Sequence, residues 1–306
     1  MKKTLAILLA LALCIVLAAC GDGASSTPAS AGANPAGSTS AAAPDTPAEP
    51  AAPAETVTLK IGASPAPHAE ILEHAAGLLK EQGIELEIVQ FDDYVIPNTA
   101  LDEGSLDANY FQHLPYLTNF NAERGLTLTS AGAIHYEPLG VYAGKLDDLA
   151  SIPDGAVIGI PDDATNGGRA LLLLQDQGVL TLKDGIDLDT FRNAESINFT
   201  EYDGIAENPH NVKIQALTAA NLPASLPDLD FGVINGNYAL AAGISDKLLV
   251  TEDASGEAAQ VFANVVAVRA GDETRPEIQA LIEVLKSDGM KAWITENYQG
   301  SVLPAE

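Results

Sequence analysis

Residues 58–91 read TLKIGASPAPHAEILEHAAGLLKEQGIELEIVQF, and two periodicities follow each other within them. From Thr58 to Ala63 the apolar residues Leu59, Ile61 and Ala63 alternate with others, the period of a strand. From Pro67 to Gln82, Ile71, Leu72, Ala75, Leu78 and Leu79 recur at helical spacing, and Gly83 stands where a helix characteristically ends. Glu85 to Phe91 alternates again. Strand, helix and strand in this order make a βαβ unit, the building block of α/β proteins.

The same alternation continues toward the C-terminus. The pattern predicts a short helix over 95–103 ending at Gly104, a strand over 106–111, a helix over 115–124 ending at Gly125, and strands over 126–133 and 138–143. Pro153-Asp154-Gly155 is a turn signal, and a new unit starts after it. This unit has a strand over 156–160, a helix over 165–177 carrying Leu171 to Leu174, and a polar, irregular stretch to about Asn211. It goes on with a strand over 212–217, a helix over 219–226 and a strand over 231–235. A strand over 261–268 and helices over 275–287 and 289–297 close the chain. Two α/β blocks predict two lobes, each a mostly parallel sheet flanked by helices. Ligands of such sheets bind beyond the carboxyl ends of the strands, so the expected site is the cleft between the lobes.

Toward the N-terminus the pattern stops. Lys2 and Lys3 precede an apolar run from Leu5 to about Leu17, and Leu17-Ala18-Ala19-Cys20 follows. A short basic start, an apolar stretch and small residues before a break read as a secretory signal peptide over 1–19. The last four residues look like a bacterial lipobox, which implies acylation of Cys20 and a membrane attachment through lipid alone. More than one acyl chain gives stable anchoring. Residues 21–55 are almost entirely Ala, Gly, Ser, Thr and Pro and cannot build a core, so 20–55 reads as a lipidated tether with a span of about 30–35 Å. The only cysteines are Cys14, inside the signal, and Cys20, so no disulfide is expected.

A net charge of −27 excludes nucleic acid as a partner. Gly-x-Ser-x-Gly, the phosphate loop and the Gly-rich dinucleotide fingerprint are all absent, so no enzyme activity, catalytic residue or cofactor is expected. The histidines are too scattered for a metal site. His68, His74 and His210 are expected at the surface or at helix caps.

Three segments carry candidate chemistry. Asn109-Tyr110-Phe111-Gln112-His113-Leu114-Pro115-Tyr116 ends a strand, and its rings, with Tyr94 nearby, stand out where aromatics make up 5% of the chain. Such a cluster suits a flexible apolar side chain, and a thioether gains about 0.3–1.5 kcal/mol per ring contact. Pro161-Asp162-Asp163-Ala164-Thr165-Asn166-Gly167-Gly168-Arg169 joins a strand to a helix. Thr165 or Asn166 is expected to cap that helix, its free N–H groups offer an anion site, and Arg169 can fork onto a carboxylate. Val233-Ile234-Asn235-Gly236-Asn237-Tyr238-Ala239 again leads from strand to helix, and Asn235 both donates and accepts, as a zwitterion requires.

These residues, in this order, resemble the methionine-binding lipoprotein family of ABC importers, also called the NlpA lipoprotein family. Pro67–Leu72, Asp93–Val95, Gly104–Asn109, Phe111–Tyr116, His135–Pro138, Thr165–Leu174, Glu207–Pro209 and Val233–Ala239 carry the resemblance. It implies two lobes joined by two crossings and closing on the ligand, which places lobe 1 at 56–147 with 243–306 and lobe 2 at 148–242. It further implies capture of methionine or a close derivative for a permease–ATPase complex at the outer face of the cell membrane, by a monomer. Tyr94, Phe111, His113 and Tyr116 would line one wall. Arg169 would hold the carboxylate with Asn166 nearby, and Asn235 would bind the amino-acid backbone groups. Glu137 is the expected ammonium partner, because a buried cation needs a counter-charge. The chain departs from the family pattern at Asp163 and Ala164, where a second proline usually stands, and over 186–204, which is longer and more acidic than usual. Those departures leave the exact ligand open, with another amino acid or a methionine-containing dipeptide as the alternatives; a surface interaction protein that has kept the fold is a separate alternative of another class.

Overall fold

The structure, a computed structural model, describes residues 56–194, 196–255 and 257–305. The expected signal peptide, Cys20 and the tether lie outside the described residues.

The first run of elements is β1 (Val57–Ala63), α1 (Glu70–Glu81), β2 (Ile84–Gln90), α2 (Ile96–Asp102), β3 (Ala108–His113), α3 (Leu114–Arg124) and β4 (Leu128–Tyr136). The second is β5 (Gly140–Ala143), β6 (Val157–Pro161), α4 (Ala164–Asp176), β7 (Thr181–Leu182), α5 (Leu188–Arg192), β8 (Ile205–Glu207), β9 (Lys213–Leu217), α6 (Leu222–Ser225), β10 (Phe231–Ile234), α7 (Gly236–Ala242) and β11 (Leu248–Thr251). The chain then returns through α8 (Glu257–Val261), β12 (Asn264–Arg269), α9 (Pro276–Leu285), α10 (Asp288–Tyr298) and β13 (Leu303–Pro304).

The strands form two large sheets, ordered β13-β4-β12-β3-β1-β2 and β11-β5-β10-β6-β9, beside the small β7-β8 hairpin. The first sheet is sealed by the apolar face of α1, through Ile71, Leu72, Ala75 and Leu79, and by Ile278, Leu281 and Leu285 of α9. The second packs against Leu171, Leu173 and Leu174 of α4, with Phe191 and Phe199 over it. Burial of each such side chain contributes about 1.5–3 kcal/mol. Gly167 and Gly168 in α4 are required by this packing. A Cβ at Gly168 would lie 2.1 Å from the Phe191 ring, and one at Gly167 would lie 2.6 Å from the Pro161 carbonyl.

The α/β class and the two lobes agree with the sequence reading, with three corrections. The sheets are mixed rather than mostly parallel: β1 is parallel to β2 and β3, and β6 to β9 and β10, but β12 and β5 run against their neighbours. The cause is the cleft. Strands β3, β4, β6 and β10 finish there, whereas β5 and β12 enter their sheets from it and must run the opposite way. The strand membership also moves the lobe boundaries from 147/148 and 242/243. Both β5 and β11 belong to the second sheet, so the chain crosses over 137–139 and again over 252–263. Further, 178–211 is not wholly irregular, since α5 and the β7-β8 hairpin fall within it.

Candidate functional site

Beyond the cleft ends of these strands lies a small cavity. All eight residues singled out in the sequence line it: Tyr94, Phe111, His113, Tyr116, Glu137, Asn166, Arg169 and Asn235. Gln112, Gly236, Asn237 and Asn264 complete the lining.

The wall on the first sheet is made of rings. Phe111 and His113 sit at the end of β3 and Tyr116 in the first turn of α3, and all three are buried. Tyr94 leans over them from the loop before α2, its ring centroid 5.7 Å from Phe111 and 5.6 Å from Tyr116. His113 is also the N-cap of α3. Its Nδ1 accepts the Tyr116 backbone N–H at 3.1 Å, which leaves the proton on Nε2. Nε2 then donates across the cleft to Asn166 Oδ1 at 3.0 Å. Burial, reinforced by the Arg169 charge, lowers the His113 pKa to about 3, so the ring is neutral at pH 7. Below the rings, Gln112 joins Asn98 and Asn109 in a buried amide network that fixes the end of β3.

The wall on the second sheet is polar. Asp163, not Thr165 or Asn166, caps α4. Its carboxylate accepts the Asn166 backbone N–H at 2.8 Å, the Thr165 hydroxyl at 2.8 Å and Asn166 Nδ2 at 3.0 Å. One backbone N–H of the first turn is thereby taken and a carboxylate already stands at the helix N-terminus, against the expectation of a free anion site there. With its amide nitrogen held, Asn166 turns Oδ1 into the cavity. There it accepts from His113 Nε2, from Asn235 Nδ2 at 2.9 Å and from Arg169 Nη1 at 3.3 Å. Asn235 occupies the N-cap position of α7 but makes no side-chain cap bond, and its Oδ1 is buried without a partner.

Arg169 is 3% exposed, and most of its fork is taken. Nε donates to Glu252 Oε1 at 3.0 Å, and Nη2 to Glu252 Oε2 at 2.6 Å and to the Glu137 carbonyl at 3.3 Å. Its charge also lies 4.3 Å over the Phe262 ring. Burial alone would lower its pKa, but the Glu252 carboxylate outweighs that and holds it above its ordinary value. One Nη1 hydrogen is left for the cavity.

Glu137 is reached from behind by two histidines. His135 Nε2 donates to its Oε1 at 2.7 Å, and His68 Nε2 lies 3.5 Å away. Tyr110 Oη contacts His135 Nδ1, and Asn264 Oδ1 accepts from His68 Nε2 at 3.1 Å. His68 is fully buried, which corrects its expected place at the surface, because it closes the apolar floor of the first lobe beside Tyr110. Burial lowers the pKa of His68 to about 4 against the pull of Glu137, and that of His135 to about 3. Burial raises that of Glu137, against the stabilising effects of His68, the Asn237 N–H and Arg169. His68, His135 and Glu137 are, among the described residues, a trio whose ligating atoms lie within 4.8 Å of one another. Of these, His135 Nε2 and Glu137 Oε1 are already hydrogen-bonded to each other, a bond that an ion would have to replace.

Two α/β lobes joined by two crossings, with a small cavity where their strands end, define a ligand-capturing protein of the two-lobed substrate-binding class. The chain belongs to the NlpA lipoprotein family, whose model matches residues 59–306. It is 37% identical over 252 residues to the membrane lipoprotein TpN32 of Treponema pallidum, covering 81% of this chain and 88% of the relative. It is also 37% identical over 249 residues to the methionine-binding lipoprotein MetQ of Bacillus subtilis, covering 80% and 86% respectively. Among solved structures, a nutrient-binding protein of Burkholderia cenocepacia bound to methionine superimposes with a TM-score of 0.73 at 39% identity, over 81% of this chain and all of that one.

Proposed function

We propose that this chain is the extracytoplasmic substrate-binding lipoprotein of an ABC importer, and that it captures methionine by lobe closure and delivers it to a permease–ATPase complex. The observation that carries this reading is the orphan acceptor Asn235 Oδ1, on the same cavity as Glu137, the spare Nη1 hydrogen of Arg169 and a wall of rings. A buried acceptor left unpaired costs about 1–3 kcal/mol, so the natural occupant brings a donor to it. An ammonium does so, and Glu137 supplies the counter-charge. The carboxylate has Arg169 Nη1, and it can also share the donors of His113 and Asn235. Those two and Arg169 all converge on Asn166 Oδ1, an oxygen with two lone pairs. The thioether then lies among Tyr94, Phe111 and Tyr116. The methionine-binding name of the Bacillus subtilis relative and the methionine in the Burkholderia cenocepacia structure support the same occupant.

The chain acts as a monomer held to the outer face of a Gram-positive cell membrane through Cys20. Among the described residues no helix is long and apolar enough to cross a membrane. Its role is binding, not catalysis. Calorimetry with L-methionine tests the reading, and saturable uptake at one site per chain is expected. A thermal-shift screen of the twenty amino acids should show its largest rise with methionine. A larger rise with another amino acid reassigns the substrate, and no rise with any of them favours a surface-interaction lipoprotein.

A further inference from the structure

Glu252 had no place in the sequence reading, yet its carboxylate accepts four hydrogen bonds from three residues. It accepts from Arg169 Nε and Nη2, from Tyr136 Oη at 2.8 Å and from the Leu139 N–H at 2.9 Å, while its own N–H donates to the Leu139 carbonyl at 3.0 Å. These partners stand at distinct points of the fold. Tyr136 ends the first sheet at β4, Leu139 lies in the first crossing, Glu252 itself opens the second, and Arg169 comes from α4 of the second lobe. Its side chain is 10% exposed, so the charges meet with little water to screen them.

We infer that Glu252 is a positioning residue that sets which ligands the cavity accepts, by holding Arg169 edge-on to the cavity and tying both crossings to it. This rests on the methionine reading above. With Nε and Nη2 committed to Glu252, Arg169 cannot fork onto a ligand carboxylate and offers only Nη1. The Glu252 charge also offsets that of Arg169, so a bare anion gains little there. A ligand must bring an ammonium to Glu137 and Asn235 to bind well. Glu252 therefore makes the pocket selective for the zwitterion over an amine-free carboxylate of the same side chain. All four of its partners are donors, so an amide in its place leaves one of them facing N–H₂ and at the same time releases the Arg169 charge toward the cavity.

The test is calorimetric titration of methionine and of 4-(methylthio)butanoate, its amine-free analogue, into wild type, Glu252→Gln and Glu252→Asp. Wild type should prefer methionine, and in Glu252→Gln that preference should narrow by about tenfold or more. A merely structural residue would weaken both ligands by the same factor, and that result overturns the selectivity. Glu252→Asp keeps the charge but is a methylene too short to hold the fork and both crossings together. It should keep the preference, lose affinity for both ligands and melt earlier, and unchanged affinity for both would overturn the positioning role. If the glutamine variant does not fold, Glu252→Asp still decides the positioning role. If wild type takes up neither ligand, the methionine reading itself fails, while the melting temperatures still report whether Glu252 joins the crossings.

Discussion

The two walls of the cavity are built on opposite principles. On the first sheet, Phe111, Tyr116 and Tyr94 hold their places by packing on one another, and of the wall's rings only His113 is also fixed by a helix cap. On the second, Asn166 and Arg169 are already bonded before any ligand arrives, to Asp163 and Glu252 on one side and to His113, Asn235 and each other on the other, and what is left over is one Nη1 hydrogen and Asn235 Oδ1. The ring wall accepts any apolar side chain that fits. The polar wall is preorganised and keeps few free valences, so each is specific. An apolar surface can discriminate by about 1–3 kcal/mol per methylene, whereas a missing polar partner leaves buried groups unpaired and is refused far more strongly.

The contrast is broken most severely at Arg169. Arg169→Ala leaves Glu252 buried without its cation, and breaking such a pair costs about 3–5 kcal/mol of stability. Chemical denaturation should show that loss, and methionine affinity should fall at least about tenfold. Were Arg169 a free fork awaiting a ligand, removing it would cost affinity and little stability, so the two measurements together separate the cases.

Asn235→Ala should do the reverse. Its Oδ1 supports nothing in the ligand-free fold, and only the Nδ2 bond to Asn166 is lost. Methionine affinity is expected to fall by about 1.5–3 kcal/mol, the range of a hydrogen bond to a charged group, with the melting temperature of the free protein nearly unchanged. A variant that melts far earlier but binds normally would make Asn235 a structural residue.

The rings and Arg169 of the candidate site were legible in the sequence because they are unusual in this chain and stand at or near strand ends. Rings are scarce, and Arg169 is one of five arginines, so their clustering at predicted turns carries information. The βαβ unit was legible because its two periods are local. Glu252 was not legible, since it is one of 42 acidic residues and its partner is 83 positions away, so nothing nearby marks it as the one that is buried. Asp163 was passed over because Asp163, Thr165 and Asn166 are all good capping residues and only the backbone decides among them. The antiparallel strands escaped for a similar reason, as strand direction depends on where the chain crosses the cleft, and alternation within a strand is blind to it.

The walls should also differ in their response to acid. His68, His113 and His135, all around the ring side and behind Glu137, are neutral in the fold with pKa values of about 4, 3 and 3. An unfolded histidine takes up its proton near pH 6.5, so the unfolded chain binds more protons between that pH and the folded values. The stability from these three groups is complete above about pH 6.5 and is lost as pH falls toward 3–4. Glu137, whose pKa is raised, works the other way, taking up its proton in the fold before it would in the unfolded chain. In His113→Gln the slope of unfolding free energy against pH should drop by up to about one proton across this window. An unchanged slope would mean that His113 is charged in the fold.

The smallest expected effect lies at the rim, where the walls meet. Tyr94 Oη donates to Asn237 Oδ1 at 2.5 Å, one of the direct side-chain bonds from one lobe to the other. Tyr94→Phe removes that bond together with the hydroxyl's hydrogen bond to Tyr238, and keeps the ring contacts with Phe111, Tyr116 and Tyr238. The apolar pocket for the thioether is untouched, so the change isolates what closure itself contributes, about 0.5–1.5 kcal/mol per hydrogen bond. Because these bonds form only after the lobes meet, their loss should appear as a several-fold faster methionine release in stopped-flow displacement, with the association rate preserved. Slower association instead would place Tyr94 in the first encounter with the ligand, and the ring wall would then select its cargo before the polar wall engages it.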